Sequence, residues 1–419
     1  MKIAIIGAGV SGLVAAHLLH GSHDVTLIEA NDHAGGHTNT VRVESDTGAW
    51  NVDTGFIVHN DRNYPRFQAL LAELGVATQP AEMSFGVSDA VGDFEYNGSS
   101  PNGLYAKRSH LLTPSFQRMI ADMVRFNREA RELLETSPQT WDPSLREYLA
   151  ARGYSDGFVE RLLVPQASAV WSADPEQMWS FPARFLVEFF DNHGMLGFRD
   201  RPQWRTVVGG SARYVEVLLD RLGDERLRLS TPVESVARDD DGVTVTARGG
   251  EPERYDHVVL AVHSDQALRM LADPSEREAE LLGAIPYQRN DVVLHTDRGL
   301  LPRRRRAWAS WNYHLGERTT GRPTVTYHMN RLQQLDADRE FCVTLNRGGD
   351  VRREHVIEEI AWDHPVFTAA GRVAQERWDE IDNVRRTSYC GAYWGWGFHE
   401  DGVASAVRAV AKLGGRSLS

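Results

Sequence analysis

Residues 1–37, MKIAIIGAGVSGLVAAHLLHGSHDVTLIEANDHAGGH, hold a strand, a turn, a helix, a second strand and an acid in unbroken order. Residues 3–6 form a short apolar run between a charged residue and a glycine, the pattern of a buried parallel strand. The turn Gly7-Ala8-Gly9-Val10-Ser11-Gly12 follows, and residues 13–19 continue as a helix. A second strand over residues 25–28 ends at Glu29, seventeen residues after Gly12. Each part has a mechanical reason. Gly7 permits the tight turn, Gly9 lets a pyrophosphate approach the backbone, and Gly12 brings helix and strand close together. The amides of Val10 and Ser11 lie at the helix N-terminus, where unpaired N–H groups and a partial positive charge face the phosphates. Glu29, with Ala30 beside it, stands where a carboxylate accepts both hydroxyls of an adenosine ribose.

That fingerprint alone does not separate NAD from FAD, but the next residues do. Ala34-Gly35-Gly36-His37-Thr38 lies in a segment that resembles the RxGGRxxT run of flavoproteins of the amine oxidase, phytoene desaturase and protoporphyrinogen oxidase superfamily. Both arginines of that run are histidines here, His33 and His37. A histidine is mostly neutral at pH 7, so phosphate binding leans on backbone amides and the helix dipole. The resemblance implies an α/β fold: a Rossmann-type FAD-binding domain with an inserted α+β substrate domain of antiparallel sheet plus helices. It adds Thr54, Gly55 and Phe56 to the FAD contacts, and a residue of the adenine-touching strand, Val233. Ala261 follows at the end of a buried strand, where the superfamily has a small-residue turn.

Composition is that of an ordinary globular chain: 419 residues, 42% hydrophobic and 25% charged. A net charge of −12 argues against a nucleic-acid partner. Two cysteines, Cys342 and Cys390, make no disulfide framework and have no metal-ligand spacing, so no metal is expected. The chain passes from Met1-Lys2 into the first strand without a signal peptide, and no apolar stretch approaches the ~18 residues of a membrane span. A cytoplasmic location is expected, with peripheral contact at the inner membrane face as a variant. That variant rests on Arg303 to Arg306 beside Trp308, which read either as a solvated hairpin loop or as a contact for anionic headgroups.

The FAD domain is expected from three separated pieces, residues 1–60, 203–270 and 385–419, and the substrate domain from 61–202 and 271–384. The first insertion has a strand pair (84–87 and 94–96), then helices, with apolar positions at helical spacing over 113–135. The second alternates over 291–296, 307–314, 324–329 and 342–345, an antiparallel sheet. His295, His314 and His328 fall on those strands as ordinary sheet histidines, while Tyr313, Tyr327 and Asn330 are candidate polar cavity groups.

The run Tyr389-Cys390-Gly391-Ala392-Tyr393-Trp394-Gly395-Trp396-Gly397-Phe398-His399-Glu400-Asp401-Gly402 is the second strong signal, with a helix expected over 403–413. In the superfamily a strand ending in glycine leads to a helix aimed at the flavin pyrimidine. Gly391, Glu400, Asp401 and Gly402 are therefore placed at the cofactor, with Asp401-Gly402 capping the helix. Tyr393, Trp394 and Trp396, interleaved with glycines, are expected beside the isoalloxazine. Cys390 precedes the strand-end glycine rather than lying in a loop, so the FAD is expected to be noncovalent.

End to end, the chain resembles the FAD-binding group of this superfamily found beside cyclopropane-fatty-acid-synthase-like methyltransferases. The resemblance implies a desaturase that takes hydride from a hydrophobic, methyl-branched acyl substrate to flavin N5, in functional partnership with such a methyltransferase. An amine oxidase forming an imine and H2O2 is the alternative. It is disfavoured because the three lysines, Lys2, Lys107 and Lys412, leave none between 108 and 411 to hold a water near N5. A flavin or nucleotide binder without activity is the third reading. With no second glycine fingerprint for a nicotinamide cofactor, dioxygen or another diffusing acceptor is expected to reoxidise the flavin.

Overall fold

The computed structural model describes residues 1–46, 48–89, 91–197, 201–316 and 322–418. Its first sheet is parallel, in the order Leu227–Arg228, Asp24–Ile28, Lys2–Ile6, His257–Leu260 and Thr387–Tyr389. Ile3 faces Val25 on one side and His257 on the other. The apolar run has no polar face because both faces are covered. Ile3 and Ile5 enter a core shared with the helices Val10–Leu19 and His399–Ala411. Ala4 and Ile6 enter a second core with Val236, Leu281 and Tyr389.

Beneath that second core Arg238, on strand Val233–Arg238, meets Glu278 of helix Glu276–Gly283. Their side chains are 1% and 3% exposed. Tyr389 OH donates to Glu278 Oε1 at 2.6 Å, the Ser275 amide donates to Oε2 at 2.7 Å, and Arg238 Nε reaches Asp273 at 3.0 Å. One carboxylate thus fastens a strand, a helix and the edge of the parallel sheet.

The substrate-side sheet has seven strands, in the order Val356–Pro365, Tyr287–His295, Cys342–Leu345, Val325–His328, Trp311–Leu315, Phe85–Asp89 and Phe94–Asn97. The strand pair of the first insertion joins the sheet of the second, and Phe85–Asp89 runs parallel to Trp311–Leu315. Strand Val356–Pro365, absent from the sequence reading, lies along Tyr287–His295 with Trp362 opposite Asn290. Helix Pro114–Glu135 starts with proline at its first turn, where the missing N–H costs nothing. Its Phe116, Met119, Phe126, Ala130 and Leu133 are buried in the core that also takes Tyr313 and Tyr327 from the sheet.

The three sheet histidines are engaged by neighbours. His295 pairs with Thr344 at 2.7 Å, His314 with Thr326 at 2.9 Å and His328 with Glu340 at 2.7 Å. No helix among the described residues is long and apolar enough to cross a membrane.

Candidate active site

Gly7 has φ of +102°, and its amide donates to the Ile28 carbonyl at 2.8 Å, so the turn is locked onto the neighbouring strand. A Cβ on Gly12 would lie 1.8 Å from Gly7 O and 3.2 Å from Ala261 Cβ, so only glycine fits, and it fits because residue 261 is small. A Cβ on Gly9 would meet nothing within 4 Å. The space in front of the loop is open, and the first-turn amides of helix Val10–Leu19 face it without intrahelical acceptors. That is a cradle for a pyrophosphate.

The Glu29 carboxylate is buried beside it. Its Oε2 accepts from Ala8 N at 2.8 Å and its Oε1 from Asn31 N at 2.9 Å, which aims the group along the loop; Ala30 is exposed. Thr231 N donates to Glu29 O at 2.8 Å, which brings Val233 to the same end of the sheet. Gly35 N donates to Ala8 O at 2.8 Å, and a Cβ on Gly36 would lie 3.1 Å from Gly9 Cα. The two glycine loops are therefore in contact.

The histidines standing for arginines part company. His33 is exposed and pairs with Asp32. His37 turns toward the substrate-side sheet and stacks on Trp362 with centroids 4.7 Å apart. Its Nε2 is buried and unpartnered among the described residues. Burial first, then His364, His263 and His399, push its pKa well below the usual histidine value, so it stays neutral. A Cβ on Gly55 would lie 2.0 Å from His37 O, which also accepts from Phe56 N at 2.7 Å, while Trp362 Nε1 donates to Thr54 O at 3.1 Å.

The last helix, His399–Ala411, starts four residues before the expected Val403. The Phe398 amide donates to Asp401 Oδ2 at 2.9 Å, so the cap sits at Phe398. Thr38 Oγ1 lies 2.5 Å from Tyr214 OH and 2.9 Å from His399 Nε2, and His399 lies flat on Phe56 at 3.6 Å. Burial pushes His399 down to about 3 and Asp401 up to about 6.

Several expected contacts are corrected here. Gly402 is inside the helix, where a Cβ would lie 2.7 Å from Val10 Cγ1, and its carbonyl accepts from Ser11 Oγ at 3.0 Å. It joins the first and last helices and caps neither. Asp401 turns inward to its own helix end. Glu400 turns away, accepting from the Arg66 and Phe67 amides at 3.2 and 2.9 Å and so capping helix Pro65–Leu74. Gly391 N donates to Ser405 Oγ at 2.9 Å, tying the strand end to the helix.

The three aromatics separate. Tyr393 and Trp394 are buried in the core beneath the parallel sheet. Gln375 Nε2 holds that turn, donating to Tyr393 O and Gly395 O at 2.7 Å each. Trp396 reaches the other way, edge-on to Phe189 at 5.8 Å and Phe185 at 6.2 Å. Asn330 is no cavity group, since its amide donates to Arg339 O at 2.9 Å and accepts from Phe341 N at 2.7 Å. Tyr327 stays on its strand, edge-on to Trp311 at 4.8 Å.

The missed groups are on the missed strand. His364 Nδ1 lies 2.9 Å from Asn290 Nδ2. Asn290 Oδ1 accepts from Asn346 Nδ2 at 2.8 Å, and Asn346 is oriented by donating to Pro323 O and accepting from Asp291 N. This relay makes His364 Nδ1 an acceptor and puts the proton of the neutral ring on Nε2. Burial pushes His364 down to about 4, so the neutral form holds at pH 7. The signal was the period-two series Ile360, Trp362, His364.

Two helix N-termini, an aimed carboxylate and an open glycine loop meet at one end of the parallel sheet. The sequence model of flavin containing amine oxidoreductases matches residues 10–332. The chain belongs to the flavin-containing amine oxidoreductase family. FAD is the cofactor of that family, and the residues present fit it: the cradle at Gly9 for the pyrophosphate, Glu29 for the ribose and the orphaned His37 Nε2 for a polar contact. Both cysteines are fully buried.

A curated relative, the L-amino-acid oxidase of Siganus canaliculatus, is 26% identical over 319 residues, covering 70% of this chain and 56% of that protein. The chain thus spans little more than half the length of that relative. Among solved structures, cyclohexylamine oxidase from Brevibacterium oxydans IH-35A has a TM-score of 0.70 at 17% identity, with 98% of each chain covered. A CLA-producing fatty acid isomerase from P. acnes has a TM-score of 0.66 at 18% identity, also with 98% of each covered. At such identities these likenesses show the fold alone.

Glu29→Ala should test the family assignment of the ribose site. It removes a charge-assisted contact of about 1.5–3 kcal/mol, roughly ten- to hundredfold in FAD affinity, measured by flavin fluorescence on titration of the stripped protein. Unchanged affinity would place the ribose elsewhere.

Proposed function

We propose that this chain is an FAD-dependent oxidoreductase that introduces a C=C bond into a hydrophobic, acyl-type substrate. The observation that carries the reading is the aromatic wall at the start of the last helix. Phe398 stacks on Phe189 at 5.3 Å, Phe367 stacks on Phe185 at 5.7 Å, and Trp396 stands edge-on to both phenylalanines of that helix face. This cluster, with Phe185 and Phe189 buried and Phe367, Trp396 and Phe398 half-buried, begins one residue before the helix N-terminus at His399. It suits methylenes, each contributing ~0.8 kcal/mol on burial.

FAD, when bound, supplies the two-electron acceptor. The chain's own residues position and exclude water: the wall shields the reacting carbons, and the paired helix N-termini favour negative charge at the cofactor end. His364 offers a neutral Nε2–H, a donor suited to an acyl carbonyl. No lysine lies between 108 and 411, which weighs against chemistry that needs a basic ammonium beside the cofactor.

The test is anaerobic mixing of the holoprotein with a chain-length series of acyl lipids and, separately, primary amines and polyamines. Flavin bleaching should follow acyl length until the wall is covered. Trp396→Ala should raise KM about tenfold through ~1.4 kcal/mol of lost contact while leaving FAD content unchanged. Rapid bleaching by amines with no response to any acyl lipid would sink this reading and promote the amine oxidase.

A further inference from the structure

A cavity of about 380 Å³ lies on the surface of the substrate-side sheet, walled by Ala106, Lys107, Arg108, Arg304, Arg305 and Arg306. Two of its cations are neutralised: Lys107 by Asp93 at 3.1 Å, and Arg304 by Asp93 at 2.7 Å and Glu95 at 3.0 Å. The others are not. Arg108 donates to uncharged acceptors, Tyr105 O and Asn102 Oδ1. Arg305 lies over the Trp308 ring, 5.4 Å from its centroid. Arg306 is exposed and makes no ion pair among the described residues. Three guanidinium charges without counter-ions are thus gathered in one cavity of a chain whose net charge is −12.

Beside them is an apolar step. Leu111 and Leu112 end the short 3₁₀ helix Arg108–Leu112 and are 51% and 89% exposed. The helix is anchored by His110, buried flat against Phe116 at 4.2 Å, so the leucines are held outward. Trp308, the aromatic expected at an interface, is buried instead, donating to Pro302 O at 2.7 Å.

We propose that this face docks on an anionic phospholipid surface, with headgroup phosphates in the arginine cavity and Leu111 and Leu112 in the acyl boundary. Charge complementarity selects an oxyanion, because arginine forks match its oxygens, and the exposed leucines beside them point to the phosphate of a lipid. A dissolved phosphate would leave the leucines without a role, whereas a bilayer engages both, the arginines at its headgroups and the leucines at the acyl boundary just below them. The attraction to an anionic leaflet acts within a Debye length of ~8 Å, so a local cluster suffices although the chain as a whole is acidic. The proposal does not depend on the acyl-substrate reading.

The experiment is co-sedimentation of the FAD-loaded protein with vesicles of equimolar phosphatidylglycerol and phosphatidylcholine, against pure phosphatidylcholine, with inorganic phosphate as a soluble competitor. Binding is expected to the mixed vesicles, weakening in high salt. It should fall by at least about tenfold in R305E/R306E and also fall in L112D, with flavin absorbance unchanged in both. Equal binding to both vesicles, no binding to either, or unaltered binding by both variants overturns the proposal. Phosphate protecting the arginines from a guanidine-directed reagent without any vesicle binding would overturn it in favour of a soluble anion.

Discussion

Gly12→Ala is expected to yield a protein carrying less than about a tenth of the wild-type FAD. The new Cβ would stand 1.8 Å from Gly7 O and 3.0 Å from Gly7 C, both backbone atoms. Gly7 cannot retreat, because its own φ of +102° and its bond to Ile28 O fix it against the sheet. The first helix must then shift away from the turn, which opens the cradle and breaks the Ser11–Gly402 contact to the last helix. Such overpacking costs at least about 1–3 kcal/mol even where side chains can yield. Gly9→Ala is the matched control. Its Cβ meets nothing within 4 Å, so the stripped protein should keep its melting temperature while FAD binds less tightly. The flavin-to-protein absorbance ratio and thermal unfolding of both variants check this, and an FAD-replete Gly12→Ala protein would show that the cofactor lies elsewhere.

Glu278→Ala should destabilise the fold by about 3–5 kcal/mol, because it leaves the Arg238 guanidinium buried with only the partly exposed Asp273 as counter-charge. Burial works against the charged form of Glu278, but hydrogen bonds from Arg238, Tyr389 and Ser275 outweigh it and hold the carboxyl at about 2, below its ordinary 4.5. The unfolded chain therefore binds more protons than the folded one between those values. The stability from this group is complete above pH 4.5 and is lost as the pH falls toward 2. Urea unfolding across that range should show stability falling with acidity, and Glu278→Gln should remove the share of this slope due to residue 278. An identical slope in the variant would assign the acid sensitivity to other carboxylates.

Legibility in the sequence followed how local each constraint is. The Gly7–Gly12 turn, Glu29 and the Gly35-Gly36 loop were readable because turn chemistry and strand ends are encoded over a few residues. The strands carrying Tyr313 and Tyr327 were readable from alternation, and the long helix from its buried Phe116, Met119 and Phe126. The direction of a side chain after a glycine was not. Trp394 and Trp396 are two residues apart in an irregular turn, and the bonds from Gln375, a side chain of a separate helix, decide which core each joins. Asn330 sat beside a strand by pattern, but its amide is claimed by the backbone of the following loop. Strand Val356–Pro365 escaped notice because it is an edge strand with Glu358 and Glu359 side by side and exposed. With it went Trp362 and His364, and Asn290 had no apparent role without them. The last helix began early because Asp401 caps from its third position, a contact that the apolar spacing after Gly402 does not encode.

The parallel sheet also sets a timetable for the chain's birth. Ile3 lies beside Val25, but its other neighbour is His257, and the next strand along holds Tyr389. At roughly 5–20 residues per second on the ribosome, the 254 residues added after Ile3, up to and including His257, take on the order of 13–50 s to translate. Throughout that interval the strand Lys2–Ile6 has one bare edge, a row of amides and carbonyls open to any passing strand. The cofactor cradle is likewise half-built until His399 emerges, so nascent chains wait without the ligand that would steady them. Shielding of the newborn N-terminal segment, and FAD supply after release, should therefore both raise the yield of holoprotein.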